Sequence, residues 1–460
     1  MRIVVVGDGK VGYTLTQRLA AEGHELVVID TNGRTLAALA STLDVITLQG
    51  NGASYAVQKE AGVQHCELLI AVTSKDEINM ICCLVAKKLG AGHTIARVRD
   101  PDYEAQLALL EDELGLSMVV NPELFAAREI ARLLRHPAAV TVETFAQGRV
   151  EVVEYRVPEE SALDGMPLHK IGNAMKVRLL VCAVRREDEV YIPSGDFVLK
   201  AGDHIYLIMD PGEADAFFKK LGVYQHRIKD IMIVGGGRVA YYLAKEMLET
   251  GVQVKIIEKD EATASELCER LPRAMVIHGD GTDTDLLSEE GLDDVGAFVA
   301  LTGMDEQNIL LSLYARTRTK GKAIPKVDRL AFLSVLGGMG LDNLISPKAI
   351  AADDIVRFVR TMENASGSNV ETLHRLVDGR VEGLGFVVND KAGYLGLPLC
   401  ELPLRPGLLI GCIVRKGETI IPRGHDTIEA GDCVVVIAEG RALQDYNDIF
   451  DHSRRGNYEP

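Results

Sequence analysis

Gly7, Gly9 and Gly12, in the run Gly7-Asp8-Gly9-Lys10-Val11-Gly12, carry the spacing G-x-G-x-x-G. That spacing suits one task, which is to hold a phosphate without reacting with it. The first glycine permits a tight bend, the second lets backbone approach a pyrophosphate, and the third lets a helix pack close on the preceding strand. The helix then points its N-terminal amides at the anion. Asp30 follows Gly12 by eighteen residues, where the fingerprint expects a carboxylate that takes a ribose hydroxyl pair. An acid there repels a 2′-phosphate, so NAD(H) or another adenosine nucleotide is favoured over NADP(H).

The elements that must position these groups are also legible. Residues 2–7 (RIVVVG) form a valine-rich apolar run, too short for a core helix, and read as a strand buried on both faces. Glu25–Asp30 (ELVVID) is a second such run. A flexible turn can imitate the glycines alone, but here strand, helix and acid all stand at the required offsets. Further strands are predicted at 45–48, 68–73, 94–98 and 117–120, with a helix over Asp76–Leu89. Alternation of this kind implies right-handed βαβ crossovers and a doubly wound parallel sheet, an α/β domain of the Rossmann type.

The pattern then restarts. Gly235-Gly236-Gly237-Arg238-Val239-Ala240 is the accepted G-x-G-x-x-A variant, and Glu258 stands to Gly235 as Asp30 stands to Gly7, both at an offset of 228. Gly50-Asn51-Gly52 recurs as Gly279-Asp280-Gly281, Thr73 as Thr302, and Asp76-Glu77-Ile78-Asn79 as Asp305-Glu306-Gln307-Asn308, all at 229. The repeat runs on past the Rossmann unit. Gly148-Arg149-Val150-Glu151 returns as Gly379-Arg380-Val381-Glu382, Gly165-Met166-Pro167-Leu168 as Gly396-Leu397-Pro398-Leu399, Ile192-Pro193 as Ile421-Pro422, and Ala201-Gly202-Asp203 as Ala430-Gly431-Asp432. Strands at 151–157, 179–184 and His204–Met209 predict a small α+β module with an antiparallel sheet.

A Pro-initiated amphipathic helix separates the two kinds of domain in each half, at 123–134 after Asn121-Pro122 and at 348–362 after Ser346-Pro347. In the first, Leu124, Ala127, Ile130, Ala131 and Leu134 make one stripe. Such a helix packs on its own domain or crosses to a partner subunit. The domains are therefore drawn at 1–120 (first Rossmann), 121–138 (crossover helix), 139–225 (first small α+β), 228–345 (second Rossmann), 346–366 (crossover helix) and 367–452 (second small α+β).

With 67 acidic against 50 basic residues, the net charge of −17 opposes binding to nucleic acid or an anionic bilayer. No apolar run reaches the roughly eighteen residues of a membrane span, and the N-terminus enters a strand directly, so neither a span nor a signal peptide is expected. A cytoplasmic protein follows. Eight cysteines without C-x-x-C or nearby His spacing read as reduced core thiols, and no metal site is expected. The eleven histidines, among them His24, read as surface or capping groups. No G-x-S-x-G elbow, Walker lysine or H-E-x-x-H occurs. Cations have the better claim: Lys10 and Arg238 occupy the same place in the two glycine turns, and Arg97 and Lys326 recur at the end of the fifth strand, where a phosphate is reachable. Asn51 and Asp280, after the third strand, are placed to approach adenosine.

The two glycine motifs with their acids, and the paired G-x-P-L and A-G-D modules, resemble over essentially the whole chain the TrkA family of Trk-type potassium uptake regulators. In that family the Rossmann unit is the regulator of K⁺ conductance (RCK, or KTN) domain and the small unit its C-terminal companion. The resemblance implies a regulatory subunit that is not an enzyme, a homotetrameric ring at the inner face of the membrane, docked on a TrkH-type potassium channel subunit. NAD(H) and ATP/ADP bound in the clefts would shift the ring and gate the pore. Carried over by position, the first cleft uses Gly7, Gly9, Gly12 and Asp30, and the second Gly235, Gly237 and Glu258. Ala240 departs from the third glycine, and its methyl is expected to hold the helix slightly outward. Two alternatives stand beside this, an NAD-dependent oxidoreductase and a soluble nucleotide sensor for another transporter.

Overall fold

The structure, a computed structural model, describes residues 1–104, 106, 111, 113–135, 141–145, 150–209, 211–222, 228–329, 341, 343–365, 370–377, 380–390, 392–439, 443 and 445–451. Along the chain the elements are β1 (Arg2–Val6), α1 (Lys10–Ala21), β2 (Glu25–Asp30), α2 (Gly33–Thr42), β3 (Ile46–Gln49), α3 (Tyr55–Glu60), β4 (Leu68–Ala71), α4 (Asp76–Leu89), β5 (His93–Arg97), β6 (Met118–Val120) and α5 (Pro122–Arg135). The first small module follows, with β7 (Thr141–Phe145), β8 (Val150–Arg156), α6 (Leu168–Met175), β9 (Leu179–Arg186), β10 (Glu189–Tyr191), β11 (His204–Met209) and α7 (Pro211–Lys220). The second half has β12 (Asp230–Val234), α8 (Arg238–Glu249), β13 (Gln253–Glu258), α9 (Glu261–Arg270), β14 (Met275–His278), α10 (Thr284–Glu289), β15 (Ala297–Ala300), α11 (Asp305–Arg318), β16 (Lys322–Pro325) and α12 (Pro347–Ala365). It closes with β17 (Val370–Leu376), β18 (Val381–Val387), β19 (Leu408–Arg415), β20 (Glu418–Ile420) and β21 (Cys433–Glu439). The recurrent Gly148-Arg149 and Gly379 lie outside the described residues.

The chain divides into two compact units, Met1–Leu134 with Ile228–Val356, and Arg135–Arg227 with Arg357–Pro460. The first unit holds two all-parallel sheets, ordered β3-β2-β1-β4-β5-β6 and β14-β13-β12-β15-β16. In both, the order reverses beside the first strand of the half, opening a crevice at the strands' carboxyl ends. Beyond β16, among the described residues, the second sheet has a parallel bridge from Lys326 to Ile345. Alternate residues of β12 face opposite ways. Met232 and Val234 pack with Leu311 and Ala315 of α11, while Ile231 and Ile233 join the cluster containing Leu243 and Met247 of α8. Continuous apolar strands are what a sheet covered on both faces requires.

That second cluster also takes in Ala126, Ala127, Ile130, Ala131, Leu133 and Leu134 of α5. The helix therefore leaves its own sheet, as its stripe allows, and packs on the other half of the same chain. Asn121 Nδ2 donates to the Tyr242 hydroxyl at 3.0 Å, and Tyr242 donates to Arg99 O at 2.9 Å. In return, Arg18 on α1 ion-pairs with Asp353 of α12 and donates to Ala349 O at 3.4 Å.

The second unit holds two five-stranded antiparallel sheets, β10-β9-β11-β8-β7 and β17-β18-β21-β19-β20. They share one apolar layer, with Val152, Cys182 and Ile208 of one sheet clustered with Cys412, Val435 and Ile437 of the other. A Cβ on Gly411 would lie 2.5 Å from Ile208 Cδ1, so glycine marks the close approach of the sheets. The A-G-D repeat is structural: Asp203 accepts from Arg186 Nε at 2.7 Å, and Asp432 from Arg415 Nε at 2.8 Å, each carboxylate only 1% exposed. Where the first module has α6, the second has only a short 3-10 turn, Leu399–Glu401, because Pro403 and Pro406 cannot continue a helix. A cleft of about 740 Å³ opens between the modules, with Arg178 and Arg423 in its lining.

All eight cysteines are free. Five are buried, but Cys268 and Cys400 are exposed, against the expectation of core thiols. His24 likewise departs from a surface role, being 8% exposed with Glu22 at 3.9 Å. No helix among the described residues is long and apolar enough to cross a membrane.

Candidate nucleotide-binding clefts

Each glycine turn sits at the crevice of its sheet. Gly7 has φ +102° and Gly235 φ +98°, a region that L side chains rarely enter. A Cβ on either would also lie 2.9 Å from the backbone amide of Thr73 or Thr302 respectively. A Cβ on Gly12 would fall 1.9 Å from Gly7 O. Ala240 in the corresponding position is fully buried. Gly9 and Gly237 differ in kind, because a Cβ there meets nothing within 4 Å. These two positions are open space at the start of α1 and α8, whose first amides lack intrahelical partners. Val11 and Val239 are 7% and 6% exposed, so they offer a ligand only their amides.

The acids are held alike in the two halves. Asp30 accepts from Asp8 N at 2.7 Å through one oxygen and from Asn32 N at 2.8 Å through the other. Glu258 accepts from Gly236 N through one oxygen and from Asp260 N at 2.7 Å through the other. Each carboxylate oxygen keeps a lone pair, so both acids retain the capacity to accept ribose hydroxyls. Asp8 is where the halves part. It is 8% exposed, its Oδ1 has no hydrogen-bond partner among the described residues, and its counterpart is Gly236. Burial, and then the negative charge of Asp30, push the Asp8 carboxyl up to about 6.

The predicted residues on the neighbouring strands are engaged within the fold. Thr73 N donates to Asn79 Oδ1 at 2.8 Å, and Asn79 Nδ2 donates to Arg97 O at 2.8 Å. The second half repeats this with Thr302 N to Asn308 Oδ1 at 2.8 Å and Asn308 Nδ2 to Lys326 O at 2.9 Å. Asn79 and Asn308 are fully buried and pin the ends of two adjacent strands at the cleft. Asp76 adds a second clamp, accepting from Arg99 N at 2.8 Å and Asp100 N at 2.9 Å, as Asp305 does from Arg329 N at 2.8 Å. These four were not singled out as site residues, although their recurrence at one offset, three positions apart on a helix, was the available signal.

The cations fare unequally. The Arg97 guanidinium donates to Thr73 O, and burial, then the charge of Arg99, lower its pKa to about 10. Burial also lowers Lys326. Lys10 and Arg238 are exposed, with Lys10 Nζ 3.5 Å from Asp328 of the other half. Asn51 and Asp280 cap their own turns, Asn51 accepting from Ala53 N at 3.0 Å and Asp280 from Thr282 N at 3.0 Å. Asp280 also accepts from Lys259 Nζ at 2.7 Å, which with the Thr282 bonds holds its pKa down at about 2. Among the described residues no group of three or more His, Cys, Asp or Glu is placed to hold a metal ion.

Family models for the TrkA-N domain match residues 3–122 and 231–347, and those for the TrkA-C domain match 152–222 and 384–451. The chain is 34% identical over 459 residues to Trk system potassium uptake protein TrkA homolog 1 of Methanosarcina mazei, covering 98% of this chain and all of that one. It is 32% identical over 454 residues to Trk system potassium uptake protein TrkA of Halomonas elongata, covering 98% of each. Among solved structures, the GsuK channel bound to NAD superposes with TM-score 0.63 at 20% identity over 95% of this chain and 77% of that one. The GsuK RCK domain gives 0.62 at 20% identity over 95% and 92%. At that identity the structural match speaks for the fold. The sequence matches span nearly the whole chain, and it belongs to the TrkA family of Trk system potassium uptake proteins.

Proposed function

We propose that this chain is the nucleotide-binding regulatory subunit of a Trk-type potassium uptake system, working by binding and release and without turnover. One observation carries the reading: two glycine turns, each closed by an acid that the turn's own amide holds, with open space at Gly9 and Gly237. NAD(H) and ATP/ADP are the ligands. Their phosphates would lie on the first amides of α1 and α8, and Asp30 and Glu258 would take the ribose hydroxyls. Lys10, Arg238, Arg97 and Lys326 supply positive charge at the crevices, with Asn51, Asp280, Thr73 and Thr302 at their rims. In the family, such subunits are expected to form a homotetramer on the cytoplasmic face of a TrkH-type membrane subunit. A ligand shifts such an assembly only through its different affinities for two states. The exchanged helices α5 and α12 tie each Rossmann domain to its opposite, so closure of one cleft acts on the other half.

The test is calorimetric titration of the purified full chain with NAD⁺, NADH, ADP and ATP, with nucleotide recovery checked by chromatography. It is followed by potassium flux through vesicles carrying a TrkH-type subunit, with and without the chain. Stoichiometric binding, intact nucleotide and ligand-dependent flux are the expected results. Absence of binding, or consumption of NADH with an added substrate, overturns the reading.

A further inference from the structure

The two clefts differ in one buried charge. In the first, the residue between the first two glycines is Asp8; in the second it is Gly236. A Cβ on Gly236 would lie 3.0 Å from Glu258 Oε2 and 2.5 Å from Leu267 of α9, so a side chain at this position points at the ribose-binding acid. Asp8 is that side chain in the first cleft, and its Oδ1, buried and without a hydrogen-bond partner among the described residues, adds a second carboxyl beside Asp30. Among the described residues no cation relieves the pair. Lys10 on α1 is turned toward Asp328, Arg34 on the first turn of α2 is exposed, Thr73 at the end of β4 and Gln49 at the end of β3 carry no charge, and Asp30 is the one charge that bears on Asp8.

We propose that Asp8 makes the first cleft, and not the second, a proton-linked nucleotide site, in which binding of a pyrophosphate-bearing nucleotide draws one proton onto the Asp8–Asp30 pair. This rests on the reading of the crevices as nucleotide sites. With both carboxyls ionised, two negative charges stand beneath the ribose and beside the phosphates. A protonated Asp8 removes one of them and gives its orphaned oxygen an O–H to donate, while Asp30 stays an acceptor for the ribose. The ligand's own negative charge then raises the pKa of the Asp8 carboxyl further, and linkage requires proton uptake. Glu258 has no such neighbour, so the second cleft takes up none.

NAD⁺ is the probe, since its pyrophosphate does not titrate near neutrality. The second cleft is closed by Gly237→Val, a substitution that meets no protein atom within 4 Å of its Cβ and occupies the phosphate's space. In this background, affinity for NAD⁺ is expected to tighten on the order of five-fold from pH 7.5 to 5.5, as a one-unit rise in one carboxyl's pKa dictates. Its binding enthalpy at pH 6.5 should differ between MES and cacodylate buffers, reporting proton uptake. Asp8→Asn and Asp8→Gly should lose both effects while still binding, and a first cleft closed by Gly9→Val should leave a pH-independent second site. Binding that is indifferent to pH and buffer overturns the proposal and leaves the nucleotide reading standing. The same holds if the Asp8 variants keep the pH dependence. Failure of the first cleft to bind NAD⁺ at any pH overturns the proposal, and failure of the wild-type chain to bind any of NAD⁺, NADH, ADP and ATP overturns both.

Discussion

Tyr242 donates its hydroxyl to Arg99 O at 2.9 Å and accepts from Asn121 Nδ2 at 3.0 Å, so one phenol of α8 joins the second Rossmann domain to two segments of the first. The ring is 2% exposed. Removing the hydroxyl strands a half-buried carbonyl and a buried amide together. Tyr242→Phe should therefore cost about 1–3 kcal/mol in urea unfolding, with little change in the shape of the ring's packing. A change within error would mean that this phenol contributes nothing net to the joint, which would then rest on the apolar face of α5 and the polar links at Arg18 and Lys322.

The glycines of the first turn separate into two classes, and substitution should sort them. A Cβ at Gly12 falls on a backbone oxygen at 1.9 Å, which no rotamer relieves. Gly12→Ala should lower stability by roughly 2–4 kcal/mol and destroy the cleft with it. Gly9 has φ −75° and open space around it, so Gly9→Val should unfold within about 0.5 kcal/mol of wild type yet lose one equivalent of bound nucleotide. If Gly9→Val binds as wild type does, the phosphate does not lie on this turn.

Asp30→Asn and Glu258→Gln keep the shape of the acids and remove their charge. Each hydrogen bond from a ribose hydroxyl to an ionised partner is worth about 1.5–3 kcal/mol, so each variant should weaken its own cleft by roughly ten-fold to a hundred-fold. Adenosine, which carries the ribose without phosphate, should feel the same loss in a competition titration. Unchanged affinity for adenosine would move the ribose away from these acids.

Much of this arrangement was legible because it rests on local rules. β2 and α4 end where the sequence pattern places them, and the glycine spacing names the bend, the open position and the close contact. Tertiary matters were not. A stripe of Leu and Ala on α5 states that a face is buried, not that its cover lies 121 residues along the same chain, as the Asn121–Tyr242 pair does. Asn79 and Asn308 are polar residues of a recurrent helix, and only the strand ends beside them turn their amides into clamps. The place of Arg97 on the sheet puts a phosphate within its reach but does not say which group its guanidinium binds within the fold. In the structure the guanidinium donates to Thr73 O, so one of its donors serves the crevice wall and the others stay available.

Lys322, at the start of β16, donates from Nζ to Leu133 O at 3.2 Å and so ties the C-terminal turn of α5 to the second sheet. Burial lowers its pKa from 10.5 to about 7, against a smaller opposing pull from Glu129. The folded chain thus binds fewer protons than the unfolded chain between pH 7 and about 10.5, and stability must rise with pH across that window. The penalty is present in full below pH 7, where burial holds a charged ammonium, and fades as the amine is neutralised. Urea midpoints should climb from pH 7 to pH 9 in wild type. Lys322→Met, which fills the same space without charge, should flatten that climb and stabilise the chain at pH 7 by on the order of 1–3 kcal/mol, less whatever the Leu133 bond contributes. If the slope survives the substitution, the buried amine is not its source, and α5 is held at this end by its apolar face.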